Sequence, residues 1–171
     1  MYAGRIILLT FWFNLTTFNA AGFDTTYAAI HTLILRLILH PDIQKKVQDE
    51  LDNVVGSPQS PEFRLPTWED RPKTPYLEVV IKELLRWHPP AGSGVPHGTM
   101  EEDEYRGWRI PKGSIVFANA WGILRSEEYY KDPEAFRPER FLGENAEPNP
   151  NSNGVFGFGR RRVMFNYLWF I

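Results

Sequence analysis

Residues 83–90, ELLRWHPP, decide how the chain is read. On a helix turning about 100° per residue, Val79, Val80, Ile81, Leu84 and Trp87 share one broad apolar arc, and Glu83 falls inside it between Val79 and Trp87. A carboxylate there is costly to bury unless it is paired and hydrogen-bonded. Arg86, three residues on and at the edge of the arc, is one partner. Taken alone, an i, i+3 pair of this kind is a surface ion pair; its place on the arc is what argues for burial. Arg140, in PERF at 138–141, is a natural third member. A triad of this sort orders a core and catalyses nothing.

Working upstream, the helix carrying Glu83 starts near Pro75, after a connection holding Pro58, Pro61, Pro66, Pro72 and Pro75 whose one helical chance is a turn near Thr67–Asp70. Before it, Pro41 opens a helix with Ile43, Val47, Leu51 and Val54 at helical spacing, and Gly56 closes it. Lys45, Asp49 and Asp52 form its solvated face. Residues 14–39 are apolar nearly all round, which predicts a helix buried on several sides and ended by His40-Pro41.

Downstream of Pro89-Pro90 the period changes. Residues 105–110 and 114–119 read as strands joined by the tight turn Pro111-Lys112-Gly113. A proline-punctuated coil comes next over 132–141, then a polar loop over 143–154. The fold class expected is α+β, mainly helical.

Composition narrows the function. A formal charge of -2 supplies no field for nucleic acid, and the basic cluster Arg160–Arg162 is short. The apolar run 6–13 is interrupted by Asn14, Thr16, Thr17 and Asn19, well short of the ~20 residues a spanning helix needs. No signal peptide is read at the start, and the Asn14-Leu15-Thr16 sequon is read as accidental. The 171 residues contain no cysteine, which removes disulfides, thiolate metal sites and thiol nucleophiles.

Three further motifs bear on chemistry. AGFDTT (21–26) sets an acid beside a hydroxyl next to a glycine: either the helix breaks at Gly22 and Asp24 caps the next segment, or Asp24 and Thr25 deliver protons beside a ligand that approaches the backbone at Gly22. His97, in VPHGT, sits among small and turn residues at a strand edge, as a plain hydrogen-bonded histidine or a ligand. His31, His40 and His88 have no metal-site spacing. Finally, FGFGRRRVMF (156–165) has the form of a wrapping loop. It is too short for a dinucleotide fingerprint, since Arg162 stands where a third glycine is needed.

Taken in order, AGFDTT, ELLR with WHPP, GVPH with YRGWRIPKG, DPEAFRPERFL and FGFGRRR resemble the C-terminal half of the cytochrome P-450 family, the haem-thiolate monooxygenases. The likeness runs over about residues 19–162 and is greatest to fungal members. It implies the corresponding part of that fold: a long central helix, two further helices, a small β region and a haem-loop remnant. The chain is accordingly expected to be a single truncated fragment over 1–171, atypical at both ends.

The resemblance also implies roles. Gly22 matches the glycine where the helix passes the haem, and Asp24 and Thr25 the acid–alcohol proton relay. Glu83, Arg86 and Arg140 match a structural triad, His97 and Arg161 match positions that hold haem propionates, and Phe156 and Gly159 match the loop shaping the proximal pocket. Relatives bind haem b, receive electrons from NADPH through a separate cytochrome P-450 reductase, act on small lipophilic substrates, and are anchored in the endoplasmic reticulum by a segment with no counterpart here. Counting from Phe156 through Gly159 and Arg161, the iron-ligand cysteine of the pattern falls on Val163, and the glycine two residues further on is Phe165. The chain as written is thus expected to be inactive and to lack a metal ligand. Every valine codon begins with GT, the usual start of an intron, so the tail from Val163 also reads as translated non-coding sequence of a longer active enzyme. Two other readings remain: a non-enzymatic interaction fragment, and a haem protein using His97 or another histidine as ligand.

Overall fold

The computed structural model describes residues 22–158. Residues 22–39 are helical (α1), and His40 breaks the run before Pro41, with φ -128° and ψ 76°. Pro41–Val55 (α2) comes next with proline in its first turn, then closes at Gly56, whose φ of 82° is a left-handed value that a Cβ would oppose. The connection is held by a 3-10 turn, Trp68–Lys73, where the Thr67 side chain and Asp70 form a reciprocal capping box. Pro75–Trp87 is α3. Proline opens it where no N–H is needed, and its end lies two residues before Pro89.

Two apolar clusters flank α3. Val80 and Leu84 pack with Ala29 of α1, Ile43 and Val47 of α2, and Phe136. Val79 packs on the other side with Ala120, Leu124, Tyr130 and Phe141. Tyr76 touches both. Each buried Val or Leu contributes about 1.5–3 kcal/mol, so α3 is the element with most to lose by leaving. It is tied to α2 by charge as well: Glu50 accepts the N–H groups of Tyr76 at 2.8 Å and Leu77 at 2.9 Å, satisfying donors at the start of α3.

The β region departs from the sequence expectation. Residues 105–110 are not one strand: β2, Asp103–Tyr105, folds back on β3, Trp108–Ile110, with Tyr105 opposite Trp108. Between them Arg106 and Gly107 have φ of 52° and 82°, the pair of positive values that a two-residue hairpin turn demands. Of 114–119, only Ile115–Val116 (β4) is a strand, paired antiparallel with His97–Gly98 (β1) rather than with its sequence neighbour. Long-range pairing won over the local Pro111-Lys112-Gly113 turn, which merely redirects the chain between β3 and β4. A short helix, Ala120–Leu124 (α4), was hidden behind that strand pattern; Asn119 caps it by accepting the Gly122 N–H at 3.0 Å.

A second correction concerns α1. Among the described residues it buries only one side: Ala29 is buried, Leu33 and Leu37 pack partly, and Phe23, Tyr27, Ile30, Ile34, Leu35, Ile38 and Leu39 are at least half exposed. The described residues offer α1 neighbours on a single face, so an all-round apolar sequence is met by one-sided packing. No helix among them is long and apolar enough to cross a membrane.

Candidate functional site

The buried charge cluster forms as the helical arc required. Glu83 and Arg86 are wholly inaccessible, and Arg140 nearly so. Arg86 grips Glu83 with both arms of its fork, Nε to Oε2 at 2.7 Å and Nη2 to Oε1 at 2.9 Å. Arg140 Nε donates to Oε1 at 3.2 Å, and the backbone N–H of Arg137 reaches the same oxygen at 2.8 Å. A carboxylate has about four acceptor positions, and four donors meet this one, three at Oε1 and one at Oε2. Such partners offset the cost of taking a carboxylate out of water.

Most of what remains of each guanidinium goes to backbone carbonyls. Arg86 donates to Leu124 and Ala135, while Arg140 donates to Lys131, Asp132 and Ala135. Asp132 takes a left-handed φ of 51°, a conformation Asp tolerates better than most residues. Two side chains thereby hold the irregular run 131–137 in place against α3 and α4 without any sheet or helix there. The planar five-donor fork of arginine is what permits this.

Sequence reasoning missed Glu147. Its Oε2 accepts Arg140 Nη1 at 2.6 Å, and its own N–H donates to the Arg140 carbonyl at 2.8 Å. Charge arithmetic was the available signal: one acid and two arginines leave a buried surplus of one positive charge, so a second acid was owed. Also missed was a stack of cations on aromatic faces. The Arg36 guanidinium lies 3.4 Å from the Trp87 ring centre, while Arg125 lies 3.9 Å from Trp121 and 5.2 Å from Trp87. Burial, then the neighbouring Arg125 charge, pulls the Arg36 pKa down from its ordinary value. A third missed group ties α2 to the turn bearing Arg140: Glu139 accepts from Lys46 at 2.7 Å and from the Tyr76 hydroxyl at 2.8 Å. Burial, with the Glu139 carboxylate beside it, pushes the Tyr76 phenol up to about 12.

The residues that the resemblance linked to a ligand stand on separate elements. Gly22, Asp24 and Thr25 lie at the beginning of the described part of α1, with Gly22 and Asp24 exposed and Thr25 half-buried. Both Asp24 and Thr25 are within the helix, so Asp24 does not cap a later one. The hydroxyl that bonds back to the Gly22 carbonyl, at 2.9 Å, belongs to Thr26. Apart from Gly22, its chain neighbours and the backbone of its own helix, no described atom comes within 4 Å of the point a Cβ at Gly22 would occupy, so the helix is open to close approach there. His97 is exposed on β1. Phe156 comes directly after a π-helical turn, Asn151–Val155, that packs on α4 through Val155 and Gly154. Gly159, Arg161, Val163 and Phe165, and the apolar run 6–13, lie outside the described residues.

Whether a haem suits this chain turns on donor chemistry. The iron of a haem-thiolate centre needs a sulfur ligand, and the sequence has no cysteine. The residues present do not fit a thiolate-held haem. Among the described residues no cluster of His, Asp and Glu could hold a metal ion instead.

Comparison with known proteins bears on the same segments. The family model described as Cytochrome P-450 matches residues 13–162. A cytochrome P-450 monooxygenase of Armillaria gallica is 45% identical over 155 residues, 88% of this chain and 30% of the relative. The monooxygenase ple1 of Rhodocybe pseudopiperita is 47% identical over 152 residues, 86% of this chain and 28% of that protein. Aspergillus aculeatus aneD, also a cytochrome P-450 monooxygenase, is 43% identical over 141 residues, 82% of this chain and 26% of its own length. The chain thus spans under a third of the curated relatives it matches, and over that span it belongs to the cytochrome P-450 family.

Proposed function

We propose that this chain is the C-terminal scaffold of a haem-dependent monooxygenase, of the class that inserts one oxygen atom from O₂ into a small lipophilic substrate, and that as written it does not carry out that reaction. The observation that carries the second half is Val163. It occupies the position where the family's loop pattern places the iron-ligand cysteine, and none of the 171 residues is a cysteine. A valine side chain has no lone pair for iron. The electron release that a thiolate supplies for O–O cleavage is then absent.

In a relative that keeps the cysteine, the positions matching the remaining residues would have the following roles. Asp24 and Thr25 would move protons along the face of α1 that Gly22 opens. His97 and Arg161 would hold carboxylates of haem b, with Phe156 and Gly159 shaping the loop beneath. Electrons would come from NADPH by way of a separate reductase. The buried cluster of Glu83, Arg86 and Arg140 serves placement: all three side chains are buried against the protein's own backbone.

A second reading rests on α1. Five large apolar side chains at i, i+4, i+7, i+11 and i+15 (Phe23, Tyr27, Ile30, Ile34 and Ile38) are at least half exposed along one helix. An apolar stripe of this length is an association surface.

One experiment separates the readings. The purified chain is supplied with haem, reduced and exposed to carbon monoxide, and its absorption spectrum is recorded. The expected result is no thiolate-type band. A thiolate-type band, or oxidation of a substrate dependent on reductase and O₂, overturns the proposal; a histidine-type band moves the ligand to a histidine.

A further inference from the structure

Buried guanidinium groups must be balanced, and the pattern Glu83, Arg86, Arg140 is not balanced by itself. The surplus falls on Arg140. All five of its N–H groups are engaged, but among the described residues the only carboxylate they reach apart from Glu83 is Glu147, with Nη1 to Oε2 at 2.6 Å. The side chain of Arg140 is fully buried and that of Glu147 is 18% exposed. Of the side chains shut off from solvent or nearly so, two guanidiniums and two carboxylates make a neutral set; Arg137, a third cation on Glu147, is 41% exposed and stays solvated. The pair is also joined backward, from the Glu147 N–H to the Arg140 carbonyl at 2.8 Å. The other oxygen of Glu147 accepts from the Lys131 N–H at 3.3 Å and lies 3.5 Å from Arg137 Nη2.

The segment just beyond Glu147 gives this contact its reach. Pro150 is fully buried three residues later, and the π-helical turn Asn151–Val155 begins at once. Within that turn Val155 packs against the cluster of Val79, Ala120 and Leu124. Gly154, at φ 110°, lies so near Phe158 that an added Cβ would come within 2.9 Å of its ring. Glu147 supplies the ion pair that joins 143–158 to the buried cluster.

We propose that Glu147 is a positioning residue: by neutralising Arg140 it fixes where the chain leaves the buried cluster, and so sets the seat of the turn that delivers Phe156 and Phe158. Its placing of the turn is independent of ligand; its value for a haem loop rests on the reading under Proposed function.

The test uses the full chain and three variants, Glu147→Gln, Glu147→Ala and Glu147→Asp, studied by amide hydrogen exchange. Losing this charge-assisted hydrogen bond should speed exchange over 143–157 about tenfold or more in the Gln and Ala variants, the equivalent of about 1.4 kcal/mol. Exchange in Pro41–Val55 should stay as in the parent chain, and the Asp variant should recover part of the protection. Unchanged exchange over 143–157 overturns the proposal, as does an equal rise in α2 or an Asp variant no better than Ala. Haem uptake by the unmutated chain, read by visible absorption in the same samples, reports on the haem reading alone and leaves the exchange result to decide the role of Glu147.

Discussion

At the scale of single residues, the decisive quantity is the cost of leaving a buried charge without its partner. Replacing Glu83 by Gln removes the anion from between Arg86 and Arg140 but leaves both cations buried, and breaking a buried pair in this way costs about 3–5 kcal/mol. Arg86→Lys keeps the charge yet cannot hold both carboxylate oxygens of Glu83 and the carbonyls of Leu124 and Ala135 together. Both variants are expected to lower the urea midpoint sharply, with Arg86→Lys failing to rescue. A midpoint for Arg86→Lys equal to that of the parent chain would mean that charge alone, and not the fork, matters here. Helical periodicity pointed to Glu83 and Arg86, and the further hydrogen bonds that such a buried pair requires pointed to Arg140 in PERF, which the resemblance also matches. Glu147 escaped because a loop has no period, and its acid is one among Glu139, Glu144 and Glu147.

Among the elements, α2, the 3-10 turn and α3 were legible because prolines and glycines mark their ends and an apolar stripe fills their middles. The hairpin was not. Reading 105–110 as one strand ignored that Arg106-Gly107 can turn, and pairing of β1 with β4 lies across a separation that alternation of residues cannot report. The segment 57–75 yields a test on the acid side. Arg64 beside Asp70 holds that carboxyl well below the usual range, helped by the Thr67 N–H and by Lys73 and the Thr67 hydroxyl, and opposed by burial. A depressed native pKa contributes stability that is complete above the unfolded value of about 4 and disappears as pH falls through the native one. Asp70→Asn should therefore be less stable than the parent at neutral pH, and the gap should close as pH drops below about 4. Thermal melts at matched pH values check this; a gap of constant size across that range would show that Asp70 contributes shape and not charge.

For the whole molecule, the site is legible in proportion to how local its parts are. Asp24 and Thr25 are adjacent in sequence and lie on one helix, so their pairing could be read. Their relation to His97 and Phe156 is tertiary, and sequence supplies it only through family resemblance. The exposed stripe on α1 predicts that the chain self-associates as its concentration rises, with sedimentation velocity showing larger species that Ile30→Glu and Ile34→Glu dissolve. A species that stays monomeric at every concentration would remove the association reading. Between the two apolar clusters, meanwhile, runs a single helix that belongs to both, with the Tyr76 ring in each. A spine gripped from both sides lets go last: amides of α3 are released only when both clusters give way, so they should outlast those of 143–157, which leans on one cluster alone.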